Sequence, residues 1–173
     1  MDIIYIVLSV VGLVAFIVAS LLKGEEVKKN LFFVFTGSVL VGTSYLFARA
    51  GINGAVSAYI GGIQAITNYF FNAKKKPIPV WLIVLYALIF LFMNLAVLES
   101  AVGILALLAS LSFVGCVSAK SGKGYRMWQM INSFLWICYD LLSRSYGPLL
   151  THAVLFAFTA FGAWINDYRK KEC

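Results

Sequence analysis

Charge is what this chain has least of: only 12% of its 173 residues are Asp, Glu, Lys or Arg, seven of them acidic, and there is a single histidine. With 62% hydrophobic residues and a mean hydropathy of +0.91, it has too few polar side chains to cover a soluble globule of this size. That composition is expected of an integral membrane protein. Cysteine is equally scarce. Cys116, Cys138 and Cys173 make an odd count without metal-ligand spacing, which argues against a zinc site, a haem site and a disulfide framework. His152 has no nucleophile elbow to serve, the segment SGKG lacks P-loop spacing, and no pair of intramembrane aspartates exists. Hydrolase and nucleotide-binding chemistry therefore lack their residues, and the expectation is a non-enzyme without a cofactor.

What the chain has is apolar length. Runs cover residues 2–22, 31–50, 52–73, 79–98, 100–118, 125–143 and 147–168, broken by KGEEVKKN, Gly51, KKKPIP, Glu99, KSGKGYR and SYGP. Because roughly 20 apolar residues cross the hydrocarbon of a bilayer, seven spans use up nearly the whole chain. The first run starts with an acid and has no basic leader, so it reads as a retained span. The formal charge of +7 would suggest nucleic acid in a soluble protein; in short clusters between spans it orients the chain and touches anionic lipid instead.

The clusters alternate. Lys23, Lys28 and Lys29, then Lys74, Lys75 and Lys76, then Lys120, Lys123 and Arg126, then Arg169, Lys170 and Lys171 occupy every second break, leaving Arg49 and Arg144 for the other side. The positive-inside rule then places the N-terminus outside and the C-terminus in the cytoplasm of an inner, or plasma, membrane. Offsetting the chain by 95 residues pairs Arg49 with Arg144, Ser38 with Ser133, Asn72 with Asp167, and the Lys74–Lys76 run with Arg169–Lys171. Spans one to three fall on spans five to seven. The expected architecture is all-α, with a first three-helix bundle (residues 1–73), a linker transmembrane helix (74–99) and a second, parallel three-helix bundle (100–173).

A three-plus-one-plus-three duplication of this kind resembles the SWEET sugar carriers and, more distantly, the PnuC vitamin carriers. The chain most resembles the bacterial inner-membrane YgjV family, through KGEEVKKN, GINGAVSAYIGGIQAITNYFFNAKKK and SFLWICYDLLSRSYGPLLTHAVLFAFTAFGAWINDYRKK. In SWEET-like carriers, Asn and Trp side chains from both halves enclose a small polar solute near the midplane. Asn132 with Trp136 resembles such a pair, although the offset puts Gly37 and Val41 at the matching first-half positions.

Polar side chains inside spans need a helix partner or a wet cavity, so each is informative. Asn132, Trp136, Tyr139 and Asp140 share one face of the sixth span; Ser57, Gly61, Gln64 and Asn68 share one stripe of the third. The repeat sets that stripe against His152, Phe156, Thr159 and Ala163. The expected solute pocket is Gln64, Asn68, Asn132 and Trp136; Asp140, Arg144, His152 and Ser57 are the candidates for a gate or proton coupling. In each case the alternative is helix packing: cross-helix hydrogen bonds for the amides, ordinary packing for Trp136, and a pinned corner for Asp140, Arg144 and His152. Two functions follow. One is a facilitator for a small polar solute such as a sugar, nucleoside or vitamin, as a monomer or homo-oligomer in the lipid bilayer and without nucleic acid. The other is a non-transporting scaffold or accessory subunit whose polar residues only knit helices.

Overall fold

The computed structural model describes residues 2–22, 27–48, 52–96, 102–142 and 146–169. Seven helices and no strand occur among them: α1 (Asp2–Leu21), α2 (Val27–Ala48), α3 (Ile52–Ala73), α4 (Val80–Ala96), α5 (Gly103–Val117), α6 (Gly122–Leu142) and α7 (Tyr146–Ala163), the last continued by one π-helical turn, Trp164–Tyr168. Arg49, Gly51, Glu99, Arg144 and Cys173 lie outside the described residues, as do Lys23, Lys170 and Lys171.

Each helix matches one apolar run, and two begin several residues before it. α2 starts at Val27 and α6 at Gly122, so Asn30 and Arg126, expected in loops, are helical. The reason is that an apolar run marks only what hydrocarbon would cover, while backbone hydrogen bonding continues into polar flanks. α3 ends where Lys75 turns left-handed at φ 53°. The Lys76 amide donates to the Phe71 carbonyl (2.9 Å) and the Lys75 amide to that of Asn72 (3.1 Å), a Schellman-type stop. Pro79 then opens α4, its carbonyl accepting from Leu82 (3.0 Å), a place where the missing proline N–H costs nothing.

By length and composition, one described helix, Leu149–Tyr168, can cross a membrane alone; Ile6–Leu21, Val80–Ala96 and Gly103–Val117 are apolar but shorter. The side-chain distribution extends that argument to the whole bundle. Ile3, Ile4, Val7, Val10, Val11 and Val14 of α1 and Trp81, Val84, Leu88 and Phe92 of α4 are exposed, whereas Ser20, Asn30, Gln64, Asn68, Arg126, Gln129, Asn132 and Asp140 are buried. Apolar outside and polar inside is the pattern of a helical protein surrounded by hydrocarbon, where polar groups must find their partners internally.

α1 packs on α2, α2 on α3, α5 on α6 and α6 on α7; α1 meets α7 and α3 meets α5, which closes the six into a ring, while α4 leans on α5. Small residues allow the close crossings. A Cβ on Gly162 would lie 2.5 Å from the Ser20 carbonyl oxygen, so α7 there touches the backbone of α1. A Cβ on Gly61 would meet the ring of Phe113 at 2.7 Å, so this residue of the α3 stripe makes room for α5. Ala19, Val27, Leu31, Val34, Ala65, Cys116, Val117 and Tyr125 form one buried cluster that joins α1, α2, α3, α5 and α6.

Candidate functional site

Two groups of polar side chains lie within the ring, at different heights. The first runs from the middle of α3 towards its end. Gln64 and Asn68 stand one turn apart on α3 and flank Ala65 of the buried cluster. Both are fully buried. The Asn68 Nδ2 donates to the Val117 carbonyl (2.8 Å), which fixes it against α5; its Oδ1, and both polar atoms of Gln64, have no hydrogen-bond partner. Asn30, set among Val27, Leu31 and Val34 on α2, is buried with both amide atoms unpartnered. Leaving such a group unmade in a dry interior costs about 1–3 kcal/mol. Native proteins hold few of them, so each requires an explanation.

Beneath this group lies a satisfied charge. The Arg126 guanidinium donates through Nε to Asp167 Oδ2 (2.9 Å) and through a terminal nitrogen to the Leu22 carbonyl (2.7 Å). Its other terminal nitrogen reaches Asp167 Oδ1. Side-chain exposure is 0% for Arg126 and 7% for Asp167, so Arg126, expected among the orienting loop charges, is instead buried. Five donors in a rigid fork make arginine suited to this role. The π turn carries Asp167 to it, and the neighbouring Asn166 Nδ2 donates to the carbonyls of Leu21 (3.2 Å) and Gly162 (3.0 Å). Three chain segments, the end of α1, the start of α6 and the end of α7, are thereby tied together.

The second group is at the opposite end of α6. His152 Nδ1 lies 2.7 Å from Asp140 Oδ2. The imidazole stacks on Trp136 with centroids 5.5 Å apart and planes at 12°. Tyr139 meets Trp136 edge-on at 5.5 Å. The expected proximity of Asp140 and His152 is therefore present; Arg144, the third member, lies outside the described residues. Ser57 is half-buried near the start of α3.

Between the two groups, Asn132 is occupied. Its Nδ2 donates to the Ala109 carbonyl (2.7 Å) and to Ser112 Oγ (3.2 Å) of α5. The four side chains expected to form one pocket have these surroundings. Gln64 and Asn68 are one turn apart on α3, Asn68 and Asn132 are each bonded to α5, and Trp136 stacks on His152. Sequence reasoning passed over Asn30 because it adjoins a basic loop. The signal that could have found Asn30 is its place on the same helical face as Leu31 and Val34 once α2 begins at Val27.

Near Asn132, Gln129 Oε1 lies 3.2 Å from the Cys116 thiol and its Nε2 3.3 Å from Ser133 Oγ. Thr159 Oγ1 lies 2.9 Å from Ser20 Oγ, joining α7 to α1. Among the described residues no three His, Cys, Asp or Glu side chains are grouped to hold a metal ion.

A family model described as a bacterial inner membrane protein matches residues 6–170. No curated protein and no solved structure matches the chain.

Proposed function

Given that the chain belongs to the Imp-YgjV family of bacterial inner membrane proteins, we propose that it is a seven-span facilitator for a small polar solute. Two parallel three-helix bundles, residues 1–73 and 100–173, rock about a site between them, and the helix within 74–99 links them. The observation that carries this reading is the pair Gln64 and Asn68, buried in the ring with polar atoms that no protein group satisfies. A passing solute with hydroxyl or amide groups would supply those bonds, and a weak, incomplete complement suits a site that must also release. The neighbour pattern agrees with a duplication, since α1 on α2 on α3 has its counterpart in α5 on α6 on α7.

The proposed orientation has the N-terminus outside and the C-terminus in the cytoplasm. Lys28 lies over the Tyr69 ring near the end of α3, and Lys123 over Tyr168 near the end of α7. The exposed Lys74, Lys75, Lys76, Lys120 and Arg169 sit at those same helix ends, so the described basic clusters share one face, as the positive-inside rule requires of a cytoplasmic side. No chemistry on the solute is involved. The group at Asp140 and His152 then closes the outer end.

A scaffold reading keeps one specific support: the Asn132, Asn94 and Asn72 side-chain amides all bond helix carbonyls within the protein. Uptake into proteoliposomes separates the two. A facilitator carries sugars, nucleosides or B vitamins faster than empty liposomes and loses about tenfold of that rate in Gln64→Leu, the worth of one lost hydrogen bond; a scaffold carries none.

A further inference from the structure

We propose that the ring opens at the seam between α3 and α5, under α4, while the seam between α1 and α7 stays closed as the hinge. The inference rests on the two-bundle carrier reading, in which these seams are the main contacts between one bundle and the other. They are built differently. At the α1–α7 seam three successive residues of α1 are bonded. Ser20 Oγ lies 2.9 Å from Thr159 Oγ1, the Leu21 carbonyl accepts from Asn166 (3.2 Å), and the Leu22 carbonyl accepts from Arg126 (2.7 Å), whose fork also grips Asp167. Gly162 adds close backbone contact with Ser20.

At the α3–α5 seam a single side-chain bond crosses among the described residues, from Asn68 Nδ2 to the Val117 carbonyl (2.8 Å). Gln64 faces α5 there, since Gly61 and Asn68 on the same stripe of α3 both meet that helix, at Phe113 and Val117. Its two polar atoms nevertheless find no partner. The offset that aligns the two halves gives the reason. Gln64 takes the place of Thr159 and Gly115 that of Ser20, so the hydroxyl that completes the α1–α7 seam is missing. Leu31 likewise stands for Arg126 and Asn72 for Asp167, and the Asn72 amide turns back to the Asn68 carbonyl of its own helix (3.0 Å).

What covers the α3–α5 seam is α4. Tyr86 and Phe90 pack with Phe113 and Val114 of α5 and with Ile60 and Phe71 of α3, and the Tyr86 hydroxyl bonds Thr67. Apolar packing between helices in a bilayer resists separation weakly, because lipid tails replace the lost contacts. A buried amide without a partner favours opening, since water or a solute then supplies its bonds. Gln64 thus favours the open seam, while Asn68 and α4 hold it shut.

The test is double electron–electron resonance on the full-length protein in lipid nanodiscs, with Cys116→Ser, Cys138→Ser and Cys173→Ser as background. Spin labels at the exposed positions Ile63→Cys and Leu108→Cys span the α3–α5 seam; labels at the exposed Val14→Cys and Phe158→Cys span the α1–α7 seam. The expected result is two distances for the first pair and one for the second. Tyr86→Phe, which removes the bond from α4 to α3, enlarges the longer-distance population roughly three- to tenfold. Should a labelled pair fail to fold, Phe70→Cys with Ile104→Cys and Val10→Cys with Leu150→Cys read the same two seams. The proposal is overturned if the α3–α5 distance is single both with and without Tyr86→Phe, or if the α1–α7 pair carries the longer component. Two α3–α5 distances without liposome uptake of any solute refute the carrier reading alone; uptake with an unmoving α3–α5 pair refutes this gate alone.

Discussion

Two buried amides of the same chemistry have opposite surroundings here, and a single substitution distinguishes them. Asn132 gives both Nδ2 hydrogens to α5, so Asn132→Leu is expected to cost about 1–2 kcal/mol. Gln64 has no partner for either polar atom, so Gln64→Leu is expected to be neutral or to stabilise. Thermal unfolding of both variants in detergent checks the pair of signs. The Arg126–Asp167 pair carries larger stakes, since removing one partner strands a buried charge; Asp167→Ala is expected to lower stability by about 3–5 kcal/mol, read as a drop in Tm and in yield of folded protein. From sequence, the intramembrane rarity of amides singled out Gln64, Asn68 and Asn132 correctly as buried polar residues. Their division into bonded and unbonded was not legible, because the carbonyls of Ala109 and Val117 that decide it belong to another helix. Arg126 was hidden for a related reason: beside Lys120 and Lys123 it looks like one more loop charge, and its partner lies 41 positions away.

The helices themselves were close to legible, since each described one lies along an apolar run. What hydropathy could not register is local backbone irregularity. Trp164–Tyr168 forms a π turn at the end of α7, a feature that often marks functional positions, and its apolar and aromatic content is indistinguishable from the helix before it. The turn matters because it delivers Asp167 to Arg126 and Asn166 to the end of α1. That delivery depends on α7 lying against α1, which Gly162 permits, since any Cβ there would sit 2.5 Å from the Ser20 carbonyl oxygen. Gly162→Ala should therefore push the two helices apart and cost about 1–3 kcal/mol, despite the better helix propensity of alanine. Cysteine cross-linking between α1 and α7, compared in the parent and the variant, reports the displacement directly.

At the scale of the whole molecule, charge sorting and the 95-residue offset led to the expectation of two three-helix units; among the described residues the structure shows seven helices, six of them closed into a ring of contacts. Gln64 lies at the middle of α3, as Asn132 does in α6, while Asn68 is one turn nearer the end of α3. In the carrier reading the solute binds between the Arg126–Asp167 tie and the Asp140–His152–Trp136 group. The direct measurement is radiolabelled uridine or glucose uptake by proteoliposomes of defined protein content, with parent and Gln64→Leu side by side. Saturable uptake down a gradient, reduced about tenfold in a variant whose Tm is equal or higher, is the predicted result; uptake no faster than in empty liposomes for every neutral solute, or uptake indifferent to Gln64→Leu, contradicts the account.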